Sequence, residues 1–457
     1  MLGCYAARGP RARFSGRVPG MVSAAAITSP TWQNWAGNQS ARPRRVITPR
    51  SADEVAEAVT AAGAEGLRVR MTGSGHSFTG AAVTDGLLLR PGALAAVRSV
   101  DERAGLVTVE AGCSLRVLNT HLQTRGLALA NMGDIQEQTV AGAIQTGTHG
   151  TGRDLASIAA QVAGLEMVLA DGTITSCSAG SDVFRAARVG LGALGVLTAV
   201  TFRVVPAFLL RAQEEPMRWS EVIARLDELT SGNEHFEFYW FPHTEGCLTK
   251  RNNRTGGPAR PLPRWRYRLD DEFLANSVFG ATCRLGHRMP ATIPVVNAIA
   301  SKALGARGYV DASYRVFTSP RRVRFMEQEY AIPRQNLAAV LAEIRALFTR
   351  RDWRISFPIE VRVAPPDDIW LSTAQGRDTA YIAIHVFHAS PHEKYFRDVE
   401  AVMTAAGGRP HWGKLHTRDA AYLRAVYPEF GQFVALRDTL DPERRFTNPY
   451  LEHVLGR

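Results

Sequence analysis

Two short loops in this chain combine glycines, hydroxyls and a single histidine: Gly73-Ser74-Gly75-His76-Ser77-Phe78 and Gly147-Thr148-His149-Gly150-Thr151-Gly152. Glycine lets a backbone approach a phosphate closely, and successive N–H groups turned to one side form an anion-binding concavity. A histidine is foreign to a purely phosphate-cradling loop, so His76 either attaches to something or is hydrogen-bonded in place. His149 reads as a hydrogen-bond donor within its own loop. A different chemistry lies far downstream. Glu360 and Arg362, two apart on a strand-like run, emerge on one face. The turn His411-Trp412-Gly413-Lys414 adds an imidazole and an ammonium, and His385 sits on the strand-like run after the acid–base pair. An acid and a base side by side hold each other's charge and can bracket a polyol. The bare Glu-x-Arg pattern equally suits a cross-strand salt bridge.

The elements that must position these residues fall into two textures. From Val46 to about Pro206, short β-rich runs alternate with helical patterns. Ser51 and Glu54 make a capping box at the head of an Ala-rich helix. Strands are expected at 67–71, 86–90, 97–101 and 106–111, a helix at 114–125, and a short extended run Leu127–Ala130. A hairpin joins Val162–Leu169 to Thr173–Cys177 through Asp171-Gly172, and a last strand covers Val196–Val205. The glycine spacing is not G-x-G-x-x-G and no strand–helix–strand unit frames it, so the class is α+β and not a doubly wound dinucleotide fold. From 207 to 410, helices at 219–230, 333–350 and 391–406 alternate with strands His235–Phe241, Ala312–Thr318, Phe325–Ile332, Ile355–Val363 and Tyr381–His388. That order suits a sheet with helices on one side. The remainder reads as loop and short helix.

Composition excludes several classes. The net charge of +11 is spread thinly, apart from Arg8, Arg11, Arg13 and Arg17 near the start. The one dense basic patch, Lys250 to Arg268, is broken by Gly256, Gly257, Pro258, Pro261 and Pro263 and reads as a solvated surface loop. No nucleic-acid recognition motif accompanies it. The five cysteines are scattered singly, with no C-x-x-C pair, so neither a metal site nor a disulfide framework is expected. Their usage fits a reducing compartment, the cytoplasm. No apolar run reaches the ~20 residues of a membrane span, and no residue pattern supports peripheral membrane association. A Gly-x-Ser-x-Gly nucleophile turn is absent.

Several separated motifs, in order, resemble the flavoproteins of the vanillyl-alcohol-oxidase type, and within them the sugar-1,4-lactone oxidases and alditol oxidases. They are Asn34-Trp35-Ala36-Gly37-Asn38, the Gly73–Phe78 loop, Val140-Ala141-Gly142 with Thr148–Gly152, and Gly195-Val196. Glu360-Val361-Arg362, His411–Lys414, Asp441-Pro442 and Phe446-Thr447-Asn448-Pro449-Tyr450-Leu451 complete the series. The resemblance implies a two-domain α+β flavoprotein: a tail over 1–30, a PCMH-type FAD-binding domain over 31–206, and a substrate (cap) domain over 207–457. The stretch from about His411 would return to the flavin.

By the same resemblance, His76 would be bonded covalently to the flavin of FAD, with Gly73, Ser74, Gly75, Ser77 and Phe78 forming the cradle of its pyrophosphate. Thr148, His149, Gly150, Thr151 and Gly152 would lie beside the pyrophosphate and ribityl chain, with Thr139, Gly142 and Thr146 on the approach. Gly195 and Val196 would present backbone to the cofactor. Glu360, Arg362 and Lys414 would line the substrate side of the flavin, joined by His385 and His411. The implied reaction is hydride transfer from a carbinol carbon to flavin N5 while a base takes the hydroxyl proton. A sugar-1,4-lactone would give an ascorbate-like product, and an open polyol an aldose. Asp134 stands where many alditol oxidases have a small hydroxyl residue, which weakens the polyol reading. Gly133 stands where oxidases of the type often have glycine, which favours O2 as acceptor over a cytochrome- or quinone-type partner.

Overall fold

A computed structural model describes residues 31–457; the expected basic tail over 1–30 lies outside the described residues. Ser51 caps the helix Ala52–Ala64, its side chain accepting from the Glu54 N–H at 3.1 Å. The Glu54 carboxylate in turn accepts from the Arg50 N–H at 2.8 Å, one residue earlier than the usual reciprocal bond. Val55, Ala58, Val59 and Ala62 recur at helical spacing and are buried. This helix crosses from strand Arg45–Ile47 to strand Val69–Met71, and both run parallel to Leu87–Leu89 between them. A strand–helix–strand unit therefore does frame the first glycine loop, contrary to the sequence expectation. Its strands are three residues each, too short to show a period, and their identity comes from burial of the whole Leu87–Leu89 run.

A five-stranded antiparallel sheet follows, ordered Ile174–Ser178, Val162–Val168, Val196–Arg203, Leu106–Glu110, Val97–Asp101. The expected hairpin turns at Gly172, whose φ of +88° is a left-handed conformation that favours glycine. Helices Leu115–Gln123 and Val140–Gln145, capped by Ser114 and Thr139, share its core. That core is completed from the other end of the chain by Trp412, Phe430, Phe433, Leu451 and Leu455. The closing segment is pinned further by Arg70, which is 4% exposed. Its guanidinium donates to the carbonyls of Ala81, Leu191, Gly192 and Phe446 at 2.6–2.9 Å. Asn448 donates to the carbonyls of Gly80 and Val83, each at 2.9 Å.

The second half builds an eight-stranded antiparallel sheet, ordered Arg307–Ala312, Leu209–Arg218, Gly246–Thr255, His235–Trp240, Ile359–Ala364, Thr379–Phe387, Phe325–Pro333, Arg409–Pro410. Alternation decides what each face does. Phe236, Phe238, Ile359, Val361, Val363, Ile382 and Ile384 pack with helices Leu337–Arg351 and Glu393–Ala405 in one core. The alternate residues of the same strands face the other way and are largely polar.

Three expectations are corrected here. The strand expected over Ala312–Thr318 ends at Ala312, and Ser313–Phe317 is helical, with the Ser313 N–H bonded to the Phe208 carbonyl at 3.1 Å. The basic stretch Lys250–Arg268 is not one loop: it begins in strand Gly246–Thr255 and ends in helix from Arg264. Helices over Phe279–Arg288 and Ile293–Ala303 fill a region where none was read. Among the described residues, Cys113, Cys177, Cys247 and Cys283 are free thiols, and no helix is long and apolar enough to cross a membrane.

Candidate active site

The polar face of the large sheet looks across a cavity of about 2070 Å³ toward the loops of the first half. A narrow cavity of about 100 Å³ continues from it, lined by Gly73, Ser74, Gly75, Thr139, Gly142, Gly195 and Val196. His76, Ser77, Gln138 and Thr146 line both spaces, so His76 stands at their junction. Burial lowers the His76 imidazole below its ordinary value, with Lys414 adding to the effect, so the ring keeps a free lone pair. The Trp35 ring lies beside it, 5.7 Å between centroids.

The narrow cavity suits the diphosphate of a dinucleotide cofactor. Among the described residues, no backbone N–H from Gly73 to Ser77 donates to a protein acceptor, which leaves a run of donors for phosphate oxygens. A Cβ at Gly73 would fall 2.4 Å from Thr139 Oγ1, and one at Gly195 2.6 Å from Met167 Cε. Gly75 adopts a φ of +72°, which turns the loop back on itself. The C-terminal segment closes this wall: Phe78 N–H donates to the Gly413 carbonyl at 2.8 Å, and Thr79 Oγ1 to that of Trp412 at 3.0 Å. Phe78, Gly133, Asp134, Thr148, His149, Gly150 and Thr151 line the larger cavity. Gly152 lines neither; its N–H pairs with the Val363 carbonyl at 2.9 Å and joins the two halves.

Glu360, Arg362, His385, His411 and Lys414 all reach the larger cavity. Strand register explains their grouping. Tyr239 pairs with Glu360, Glu360 with Ala383, and Ala383 with Glu329, forming one row across four strands. Arg362 is fixed by its Nε donating to Glu237 at 2.8 Å and by an ion pair to Glu360. Tyr239 donates to Glu360 at 3.0 Å. Asp134 reaches the same cluster from the first half, 2.6 Å from Arg321 and 3.8 Å from Arg362.

Burial, reinforced by the Asp134 and Glu237 carboxylates, raises the Glu360 carboxyl despite the pull of Arg362. For Glu237 burial acts the same way, but Arg362 and Lys250 prevail and its value falls. Asp134 is also held well below the usual carboxylate range: burial opposes this, and Arg321, Arg362 and Lys414 overcome it. Three carboxylates on one wall thus differ, and Glu360 takes a proton most readily.

The opposite corner holds the cation. Lys414 forms an ion pair with Glu327, whose other oxygen lies 3.4 Å from His385 Nε2. Burial would lower the ammonium, yet Glu327 and Glu329 raise it, so Lys414 stays charged. Against burial, Lys414 and His385 take Glu327 down to about 2. His411 is pushed down to about 4 by burial and is neutral at ordinary pH. Its Nδ1 accepts from the Gly413 N–H at 3.0 Å, which shapes the turn that presents Lys414. His149 donates from Nδ1 to its neighbouring Gly150 carbonyl at 2.9 Å, stacks on Tyr381 at 3.5 Å, and lies 3.2 Å from Glu329. His149, Glu329 and His411 come within 4.8 Å of one another. A cation there would need the Nε2 lone pair of His411, but a ring accepting at Nδ1 carries its proton on Nε2. The trio therefore reads as a hydrogen-bonded cluster.

Sequence reasoning missed Glu237, Tyr239, Arg321, Glu327 and Glu329. Four of them obey the spacing that singled out Glu360 and Arg362: Glu237 and Tyr239, and Glu327 and Glu329, lie two apart on strands that were expected. Polar alternates in otherwise apolar strands were the available signal. Arg321, on an irregular loop, offered none.

A sequence model of FAD-binding domains matches residues 43–178. A cholesterol oxidase from Brevibacterium sterolicum has the same architecture, with a TM-score of 0.79 at 19% identity over 93% of this chain and 96% of the other. The fold is that of a two-domain, PCMH-type FAD-binding oxidoreductase. The sequence model described as D-arabinono-1,4-lactone oxidase matches residues 200–454. The L-gulono-1,4-lactone dehydrogenase of Mycobacterium tuberculosis is 44% identical over 94% of this chain and all of its own length, 100%. The L-gulonolactone oxidase of Bos taurus is 34% identical over 93% and 98% of the two chains, and an alditol oxidase from a Streptomyces species 34% over 92% and 98%. The chain belongs to this family of FAD-dependent sugar-1,4-lactone oxidases and dehydrogenases.

Proposed function

We propose that this enzyme oxidises a sugar-1,4-lactone of the L-gulono or D-arabinono type at a carbinol carbon, giving an ascorbate-like product. The observation that carries the reading is the polar face of the large sheet, which sets Glu360–Arg362 and Glu327–Lys414 on the lining of the same cavity as His76. Bound FAD supplies the hydride acceptor. Residues 31–206 would hold it, residues 207–457 would hold the lactone, and His76 would be its covalent attachment point. Glu360, with its raised affinity for a proton, takes the hydroxyl proton. Arg362, fixed by Glu237, orients substrate oxygens, and the Lys414 ammonium stabilises developing negative charge. His385 and His411 position that ammonium through Glu327 and the Gly413 turn. The Asp134 carboxylate, neutralised by Arg321, leaves no free hydroxyl donor at its position and supports a lactone over an open alditol. Electrons then pass to O2 or to a cytochrome- or quinone-type acceptor. The four free thiols support a reducing, cytoplasmic setting.

The test is anaerobic mixing of the purified protein with L-gulono-1,4-lactone while the yellow flavin band is followed, then admission of air. Bleaching supports lactone oxidation. Bleaching by xylitol alone would replace it with the alditol reading, and a protein without a yellow band would overturn both. Prompt return of colour in air marks an oxidase, slow return a dehydrogenase. Acid precipitation tests the attachment: flavin should stay with the unaltered protein and be released from His76→Ala.

A further inference from the structure

A carboxylate that takes the hydroxyl proton in every turnover must lose it again, and Glu360 is only 6% exposed. Its neighbours limit the routes out. Arg362 pairs with it directly, but a guanidinium carries donors only and cannot accept a proton. Asp134, the nearest carboxylate of the first half, is itself engaged by Arg321 and Arg362. Tyr239 differs: a hydroxyl can accept at its oxygen while giving up its own hydrogen.

Sheet register places that hydroxyl. Tyr239 lies opposite Glu360 on the neighbouring strand, and Glu237 sits two residues before it on the same face. Lys250 lies opposite Glu237 on the next strand. The Tyr239 hydroxyl is 3.0 Å from Glu360 Oε1 and 3.1 Å from Glu237 Oε1. It carries one hydrogen, so both contacts become hydrogen bonds only when one carboxylate is itself protonated. Burial, with the Glu237 and Glu360 carboxylates, raises the phenol well above its ordinary value, so Tyr239 keeps a hydrogen between transfers. Lys250 Nζ lies 3.5 Å from the same Glu237 oxygen, and its side chain is 23% exposed. Against burial, Arg362 and Lys250 hold Glu237 low, so a proton arriving there is passed on. Glu237, Tyr239 and Lys250 all line the large cavity.

We propose that Tyr239, Glu237 and Lys250 form a proton exit from Glu360 to the open part of the cavity. The inference rests on the oxidation proposed above and extends it. In each turnover the carbinol C–H bond yields its hydride to bound FAD, and the O–H bond yields its proton to Glu360. Glu360 passes that proton to the Tyr239 oxygen as the Tyr239 hydrogen moves to Glu237. Glu237 hands it to Lys250 as the ammonium gives one of its own to water, and every group regains its starting protonation. Tyr239 acts here through Glu360.

The experiment follows proton release and flavin bleaching together, in anaerobic stopped flow of the FAD-loaded chain with L-gulono-1,4-lactone. Phenol red in weak, mildly alkaline buffer reports the proton. In the unaltered chain, release should keep pace with bleaching. Tyr239→Phe keeps the ring and removes the hydroxyl; release should then lag bleaching about tenfold or more, on the scale of a lost proton-transfer group. Lys250→Met leaves the Glu360–Tyr239 bond in place and should give a smaller lag that methylamine in the medium removes. Release that keeps pace in a flavin-loaded Tyr239→Phe protein, or failing that in Lys250→Met, would overturn the proposal. So would release and bleaching slowed in equal measure, the result expected if Tyr239 only holds Glu360 in place. An unaltered chain bleached by neither lactone nor xylitol would instead overturn the oxidation, and the exit with it.

Discussion

Glu327→Gln tests the electrostatic logic of the site without altering a group proposed to touch substrate. The change keeps side-chain size but removes the carboxylate paired with Lys414 and lying 3.4 Å from His385. Taking an anion from beside a buried cation disfavours the cation, so the raised Lys414 value must fall. A hydrogen bond to a charged group contributes about 1.5–3 kcal/mol, and one pKa unit is about 1.4 kcal/mol. The alkaline limb of the pH profile for flavin reduction should therefore move down by about one to two units, with Glu329 retaining part of the hold. Linkage gives the stability a sign. A lysine raised on folding contributes fully below its unfolded value and loses that contribution as pH rises through its folded value. The variant should thus be less stable than the parent at neutral pH and approach it under alkaline conditions. The assay is stopped-flow bleaching from pH 6 upward, repeated with Lys414→Met and the double variant. An alkaline limb that stays in place, or strictly additive effects of the two changes, would refute the pairing as the source of the Lys414 charge.

Two further outcomes follow from the cofactor walls. Arg70→Met should lower stability by about 4 kcal/mol or more, since four buried carbonyls lose a charged donor; retention of flavin through gel filtration, together with the thermal midpoint, reports it. Gly133→Ala adds a methyl 3.1 Å from Thr148 Cγ2 and 3.2 Å from the His149 carbonyl. It should slow the return of colour in air at least about tenfold, a barrier near 1.4 kcal/mol, and leave anaerobic bleaching largely intact.

The sequence made some of this legible because local chemistry suffices for it. The loop Gly73–Phe78 needs its glycines for backbone approach alone, and Glu360 and Arg362 share a face by strand geometry alone. Other features depend on distant chain. Tyr314, Val316 and Phe317 are the aromatic and β-branched types that strands favour, yet the chain turns helical where Ser313 meets Phe208. Arg321 becomes a site residue only because its loop meets Asp134, 187 positions earlier in the chain. Glu327 and Glu329 sit inside the strand Phe325–Pro333 and gain their roles from register with His385 and Ala383. The short strands around Leu87–Leu89 carry no period of their own, which hid the crossover before the first glycine loop.

The Arg70 clasp bears on how the enzyme is made. Its partner carbonyl at Phe446, and core residues such as Phe430, Leu451 and Leu455, emerge from the ribosome long after the strands they complete. At ordinary translation rates the interval is on the order of 10–50 s. During it the first half has an unfinished core, and the wall of the first glycine loop supplied by Trp412 and Gly413 is missing. Closure of that wall therefore comes late in synthesis. A chain that stalls or is clipped within its last dozen residues would lack the Phe446 carbonyl of the clasp and the packing of Leu451 and Leu455, though every residue of both glycine loops is present.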